Sequence, residues 1–157
     1  MTERMLAPGD MVPELHGELA NGDRLSLTDL RGKPVVVYFY PKDNTSGCTR
    51  EAQDFRDLYP AFQKLGCEVI GVSRDSAASH ARFAARHALP FPLVADTDET
   101  WCKAFGVLGE KVLYGRRFIG LIRSTFLIGA DGVLGHAWRK VKVPGHAAAV
   151  LARLTAA

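Results

Sequence analysis

Two strand-like runs, each followed by a helical pattern, constrain this chain more than any other feature. "VVVYFY" (Val35 to Tyr40) is continuous, apolar, β-branched and aromatic, and "CEVIGVS" (Cys67 to Ser73) reads as a second strand. The first has the pattern of a strand buried on both faces. After the first run, Ala52, Phe55, Leu58, Tyr59, Phe62 and Leu65 recur at helical spacing from Cys48 onward. Gly66 stands where a helix C-cap would. After the second run, "DSAASHARFAARHAL" reads as a helix with Asp75 or Ser76 as its N-cap. Strand and helix in alternation imply parallel strands joined by right-handed crossovers.

The flanking segments complete the order. "LHGEL" and "RLSL" surround Asn21-Gly22, a strong hairpin-turn signal, so an N-terminal β-hairpin is expected. "SLTDLRGKP" reads as a polar or short helical turn. "FPLVAD" reads as a short strand, and "DETWCKAFG" as a short helix ending at Gly106. "GVLGEKVLYGRRFIG" reads as a loop with some extended structure. "RSTFLIGADGVLGHAWRKV" reads as a hairpin around Asp131-Gly132, and "GHAAAVLARL" as a closing helix. The last hairpin must add antiparallel strands. The expected class is α/β, with a mixed central β-sheet flanked by α-helices in a thioredoxin-like arrangement. At 157 residues, one domain over 1–157 is expected.

Composition narrows the function. With 47% hydrophobic and 24% charged residues, the chain is ordinary for a soluble globular protein. A net charge of +3 permits weak attraction to anions. "YGRRF" and "WRKVKV" are short basic clusters that read as solvated faces, so no nucleic-acid partner is expected. No run reaches the length of a membrane span, and the first residues carry no apolar core of a secretory signal. Three cysteines, Cys48, Cys67 and Cys102, form no disulfide framework, and a reducing, cytoplasmic setting is expected.

The chemistry concentrates at Cys48. A strand ends at Pro41, the small or hydroxylated residues Thr45, Ser46 and Gly47 follow, and Cys48 stands where a helix begins. The first turn of a helix presents unpaired N–H groups and the positive end of the helix dipole. A cysteine there can be shifted toward thiolate, its nucleophilic form. Gly47 leaves room for close approach to the backbone, and Thr45 offers a hydroxyl that both donates and accepts.

Pro41, Thr45 and Cys48 form P-x-x-x-T-x-x-C, which resembles the active-site signature of peroxiredoxins. "FYPKDNTSGCTREAQDFRD" is similar to their Q-type subgroup, the bacterioferritin comigratory proteins. "RGKPVVVYFYPKD", "VIGVSRDSAASH", "FPLVADTDE", "FGV" and "RSTFLI" follow in the family's order. The resemblance implies a thioredoxin-like fold and a peroxidase using a thiol rather than a metal or haem, so no cofactor is expected. It makes Cys48 the peroxidatic cysteine, Thr45 its helper, Pro41 the loop proline and Arg123 the cation facing the thiolate. Glu51, one turn from Cys48, is expected to anchor Arg123 rather than to act as a base. Attack on a hydroperoxide would leave Cys48 as sulfenic acid. The subgroup implies a monomer.

Relatives carry a resolving cysteine where this chain has Gln53, or in the next helix near Ala84. A one-cysteine cycle cleared by an external thiol is therefore expected, with glutathione, glutaredoxin, thioredoxin or another dithiol carrier as reductant. Cys102 and Cys67 are the alternative resolving thiols, although both read first as packing residues. A redox sensor or relay without turnover is the reading from another class. His80 and His87 stand seven apart, and His16, His136 and His146 show no ligand spacing, so no metal site is expected.

Overall fold

The computed structural model describes residues 5–155. Seven strands form one sheet in the order β2-β1-β5-β4-β3-β8-β9. Its centre is β3 (Val35–Phe39), parallel to β4 (Glu68–Ser73), which is parallel to β5 (Leu93–Ala95). The helices α1 (Ser46–Lys64) and α2 (Ala77–His87) are the crossovers. β8 (Ser124–Ile128) and β9 (Leu134–Arg139) run antiparallel beyond β3, turning around Asp131-Gly132. The hairpin β1 (His16–Leu19) and β2 (Arg24–Ser26) turns around Asn21-Gly22 and joins the other side of the sheet, antiparallel to β5. The mixed sheet expected from the strand order is present, and the turn after β2 is a short 3-10 helix over Leu27–Leu30.

Alternation along β3 divides the interior into two layers. Val35, Val37 and Phe39 face one side, with Trp101, Cys102 and Phe105 of α3 (Thr100–Phe105). Val36, Tyr38 and Tyr40 face the other, with Phe55 and Phe62 of α1, Phe83 of α2, and Ala147 and Val150 of α4 (His146–Thr155). Each fully buried Phe contributes about 1.5–3 kcal/mol. Tyr38 stacks on Phe55 at 4.6 Å, fixing α1 over the sheet centre. Gly71 on β4 makes this fit, because a Cβ there would meet Tyr38 Oη at 3.0 Å and Leu93 Cδ2 at 2.7 Å.

One segment differs from the sequence expectation. Leu108–Leu113 (β6) and Arg116–Leu121 (β7) form a regular antiparallel ribbon of their own around Tyr114-Gly115, not a loop. Val112, Leu113, Tyr114, Phe118 and Ile119 on it are exposed. Among the described residues, no helix is long and apolar enough to cross a membrane.

Candidate active site

Cys48 is the third residue of α1, which begins two residues earlier than the apolar spacing predicts. Asn44 takes a left-handed conformation (φ 63°) and turns the chain out of the loop after β3. Thr45 is the N-cap in extended geometry, but its hydroxyl donates to Lys42 O at 2.8 Å instead of capping the helix. No side chain caps α1. The orphan N–H groups of its first turn therefore keep their positive character beside Cys48.

Arg123, between β7 and β8, reaches this turn. Its Nη2 lies 3.3 Å from Cys48 Sγ, and its Nη1 donates to Glu51 Oε1 at 2.7 Å. Gly47 is where the guanidinium rests, since a Cβ there would stand 3.2 Å from Arg123 Nη2. The space that the sequence assigns to an approaching substrate is thus partly the seat of Arg123. Cys48 and Glu51 are each 1% exposed. Burial pushes the Glu51 carboxyl up to about 7 against the pull of Arg123, and its Oε2 has no partner. Arg123 feels the opposite balance: burial disfavours its charge, but Glu51 and Cys48 together hold its pKa above the usual value. Nearby on α4, His146 shares a 2.8 Å hydrogen bond with Thr125. Burial, aided by the Arg123 charge, pushes its pKa down to about 4.

The structure brings Cys48, Arg123, Glu51 and Gly47 together, with Thr45 exposed at the helix start and Pro41 partly buried at the end of β3. The other two cysteines stand in different surroundings. Cys67 shares the α1 layer, donates to Glu68 O at 3.4 Å, and is pushed up to about 12 by burial. Cys102 lies in the α3 layer, across the sheet from Cys48. Burial, then a hydrogen bond with Asp96, raises its pKa strongly.

A clasp that single-residue reasoning missed holds the loop in place. Asp43, buried in that loop, accepts from Tyr40 Oη at 2.7 Å and from Ser79 Oγ at 2.7 Å. His80 Nδ1 lies 2.8 Å from the same carboxylate, while its Nε2 donates to Val94 O at 3.0 Å. The Asp43 amide donates to Asp75 at 2.8 Å. Burial pushes the Asp43 carboxyl up, but the bonds from His80, Tyr40 and Ser79 outweigh it and hold it below its usual range. Asp43, Asp75 and His80 offer ligand-type atoms within 4.8 Å of one another, yet the chain's own donors already fill that cluster. His80 is fully buried, and its only sequence signal was its place on the inner face of α2 near Phe83.

A buried thiol at an open helix start, with a guanidinium on its sulfur, is an arrangement that favours the thiolate. The AhpC/TSA family pattern matches residues 8–137. Peroxiredoxin Bcp of Xanthomonas campestris is 48% identical over 156 residues, covering 99% of this chain and 98% of that protein. Peroxiredoxin Bcp of Bacillus subtilis is 44% identical, covering 93% of each. Among solved structures, PrxQ of Xylella fastidiosa, as a cysteine-to-serine mutant, superposes with a TM-score of 0.93 at 43% identity over 98% of each chain. A structure of the X. campestris bacterioferritin comigratory protein, concerned with its alkyl peroxide reduction, gives 0.87 at 50% identity over 90% of each. The chain belongs to the AhpC/TSA family and, within it, to the Q-type peroxiredoxins, the bacterioferritin comigratory proteins. Its activity is that of a thiol-dependent peroxidase, which implies a hydroperoxide substrate and a thiol reductant.

Proposed function

We propose that Cys48 is the peroxidatic thiol, reducing hydrogen peroxide and organic hydroperoxides in a one-cysteine cycle cleared by an external thiol. The observation that carries this reading is Arg123 Nη2 at 3.3 Å from Cys48 Sγ, at a helix start that no side chain caps. The Cys48 thiolate attacks one peroxide oxygen, an S–O bond forms as the O–O bond breaks, and the electron pair leaves on the second oxygen. Arg123 and the first-turn N–H groups face the charge as it moves. The Thr45 hydroxyl spends its one proton on Lys42 O, so toward a peroxide it acts as an acceptor. Cys48 ends as sulfenic acid.

Alkyl peroxide reduction in the X. campestris relative supports organic hydroperoxides as substrates. The one-cysteine cycle is supported by the raised pKa of both Cys67 and Cys102, which keeps them as poorly nucleophilic thiols. Glutathione, glutaredoxin and thioredoxin are the reductant classes to compare. The test is peroxide consumption with each of these donors, in the wild type, in Cys48→Ser and in Cys67→Ser/Cys102→Ser. Turnover that vanishes only in Cys48→Ser supports the proposal. Turnover that survives in Cys48→Ser contradicts it, and loss in the double variant reinstates a two-cysteine cycle.

A further inference from the structure

Arg123 is one cation set against two buried acids. Its Nη1 holds Glu51 at 2.7 Å and its Nη2 touches Cys48 at 3.3 Å, with both acids 1% exposed. A carboxylate and a thiolate ionised together would leave a net negative charge out of water, which is strongly unfavourable. The other charged or titratable groups facing the trio do not neutralise it. Tyr38 on β3 has its phenol buried without a partner, and Asp54 on α1 adds negative charge. His146 on α4 is held neutral, while Lys111 on β6 is a further cation coupled to Cys48, its own charge disfavoured by burial and then by Arg123 and Arg74. Glu51 Oε2 is buried and unpartnered, an atom ready to carry a proton.

From this geometry we infer that Cys48 and Glu51 share one proton, so that Arg123 faces a single negative charge at each stage of the cycle. This rests on Cys48 as the reacting thiol. Ionisation of Cys48 moves its proton to Glu51, giving thiolate and neutral carboxylic acid. The thiolate then attacks the hydroperoxide: sulfur is oxidised to sulfenic acid, the O–O bond is reduced, and an alkoxide or hydroxide departs. That anion takes the proton stored on Glu51 and leaves as alcohol or water. Glu51 returns to carboxylate against Arg123, now beside a neutral sulfur. Glu51 is thus a proton store as well as an anchor.

The two roles predict opposite signs. Glu51→Gln keeps an oxygen for Arg123 Nη1 but removes the competing charge. If the proton is shared, thiolate absorbance in the variant appears at a pH lower than in the wild type by about one unit or more. If Glu51 only anchors Arg123, the loosened guanidinium supports the thiolate less well and the transition moves up or stays. Either of these outcomes overturns the inference. Infrared difference spectra of the wild type test it without relying on that variant's folding. The carboxylic-acid band of reduced protein at pH 7 should disappear when Cys48 is capped with iodoacetamide, and an unchanged band overturns the inference. Failure of the Cys48 reading is separately visible, because Cys48 would then be alkylated no faster than Cys67 or Cys102.

Discussion

Cys48 and Cys102 occupy the same place in two different helices. Each is the third residue of its helix and is at most 1% exposed. Their surroundings are opposite. The first turn of α1 is uncapped and Arg123 lies on the sulfur. The first turn of α3 is closed by Asp96, whose carboxylate accepts from the Trp101 and Cys102 amides at 3.0 and 2.8 Å. That carboxylate takes up the N–H groups that would favour a thiolate and adds a negative charge of its own. The same helix position thus gives the two thiols opposite electrostatics: open N–H groups and a guanidinium face Cys48, whereas a carboxylate occupies the N–H groups beside Cys102.

Exchanging the two cysteines' fates in turn gives the largest expected effect. Cys48→Ser should reduce peroxide turnover to background, whereas Cys102→Ser should retain the thiol-supported rate, both read by steady-state peroxide consumption. Removing the cation is next. Arg123→Met should lower kcat/KM for hydrogen peroxide by about 10²–10³, the range for a lost preorganised donor. On the other helix, Asp96→Ala should lower stability by about 1–2 kcal/mol in urea unfolding through loss of the cap, with the peroxidase rate little changed.

The smallest effect concerns pH. The folded His146 resists protonation down to about 4, whereas its ordinary value is 6.5. Between these values the unfolded chain binds a proton that the folded chain does not. Stability should therefore fall as pH drops from 6.5 toward 4. His146→Asn should flatten that slope in urea midpoints measured across the window.

Much of the fold was legible because its strands and helices announce themselves locally. Val35–Phe39 is continuous and β-branched, and the α1 residues repeat every three or four positions. Only some extended character of the β6 and β7 ribbon was legible, because Leu108 and Leu121 at its base reach the core while Val112, Leu113, Phe118 and Ile119 are exposed and give no one-sided period. Gly115, at φ 76°, was the turn signal available there. Cys48 and its loop could be read from the motif, but the contacts that define the site span the chain. Arg123 meets Glu51 across 72 positions, a pair expected only through the family resemblance, and Asp43 meets His80 across 37, a pair that was not expected. Local spacing carries no information about such pairs. The unpartnered Glu51 Oε2 and the donation from Thr45 to Lys42 are also properties of the packed molecule alone.

The most direct test of the central claim places all three cysteines in one tube. Reduced protein is treated with one equivalent of hydrogen peroxide in the presence of dimedone, and the adduct is located by peptide mapping. The account predicts an adduct on Cys48, with Cys67 and Cys102 unmodified. An unmodified Cys48, or an adduct chiefly on Cys102, would contradict it.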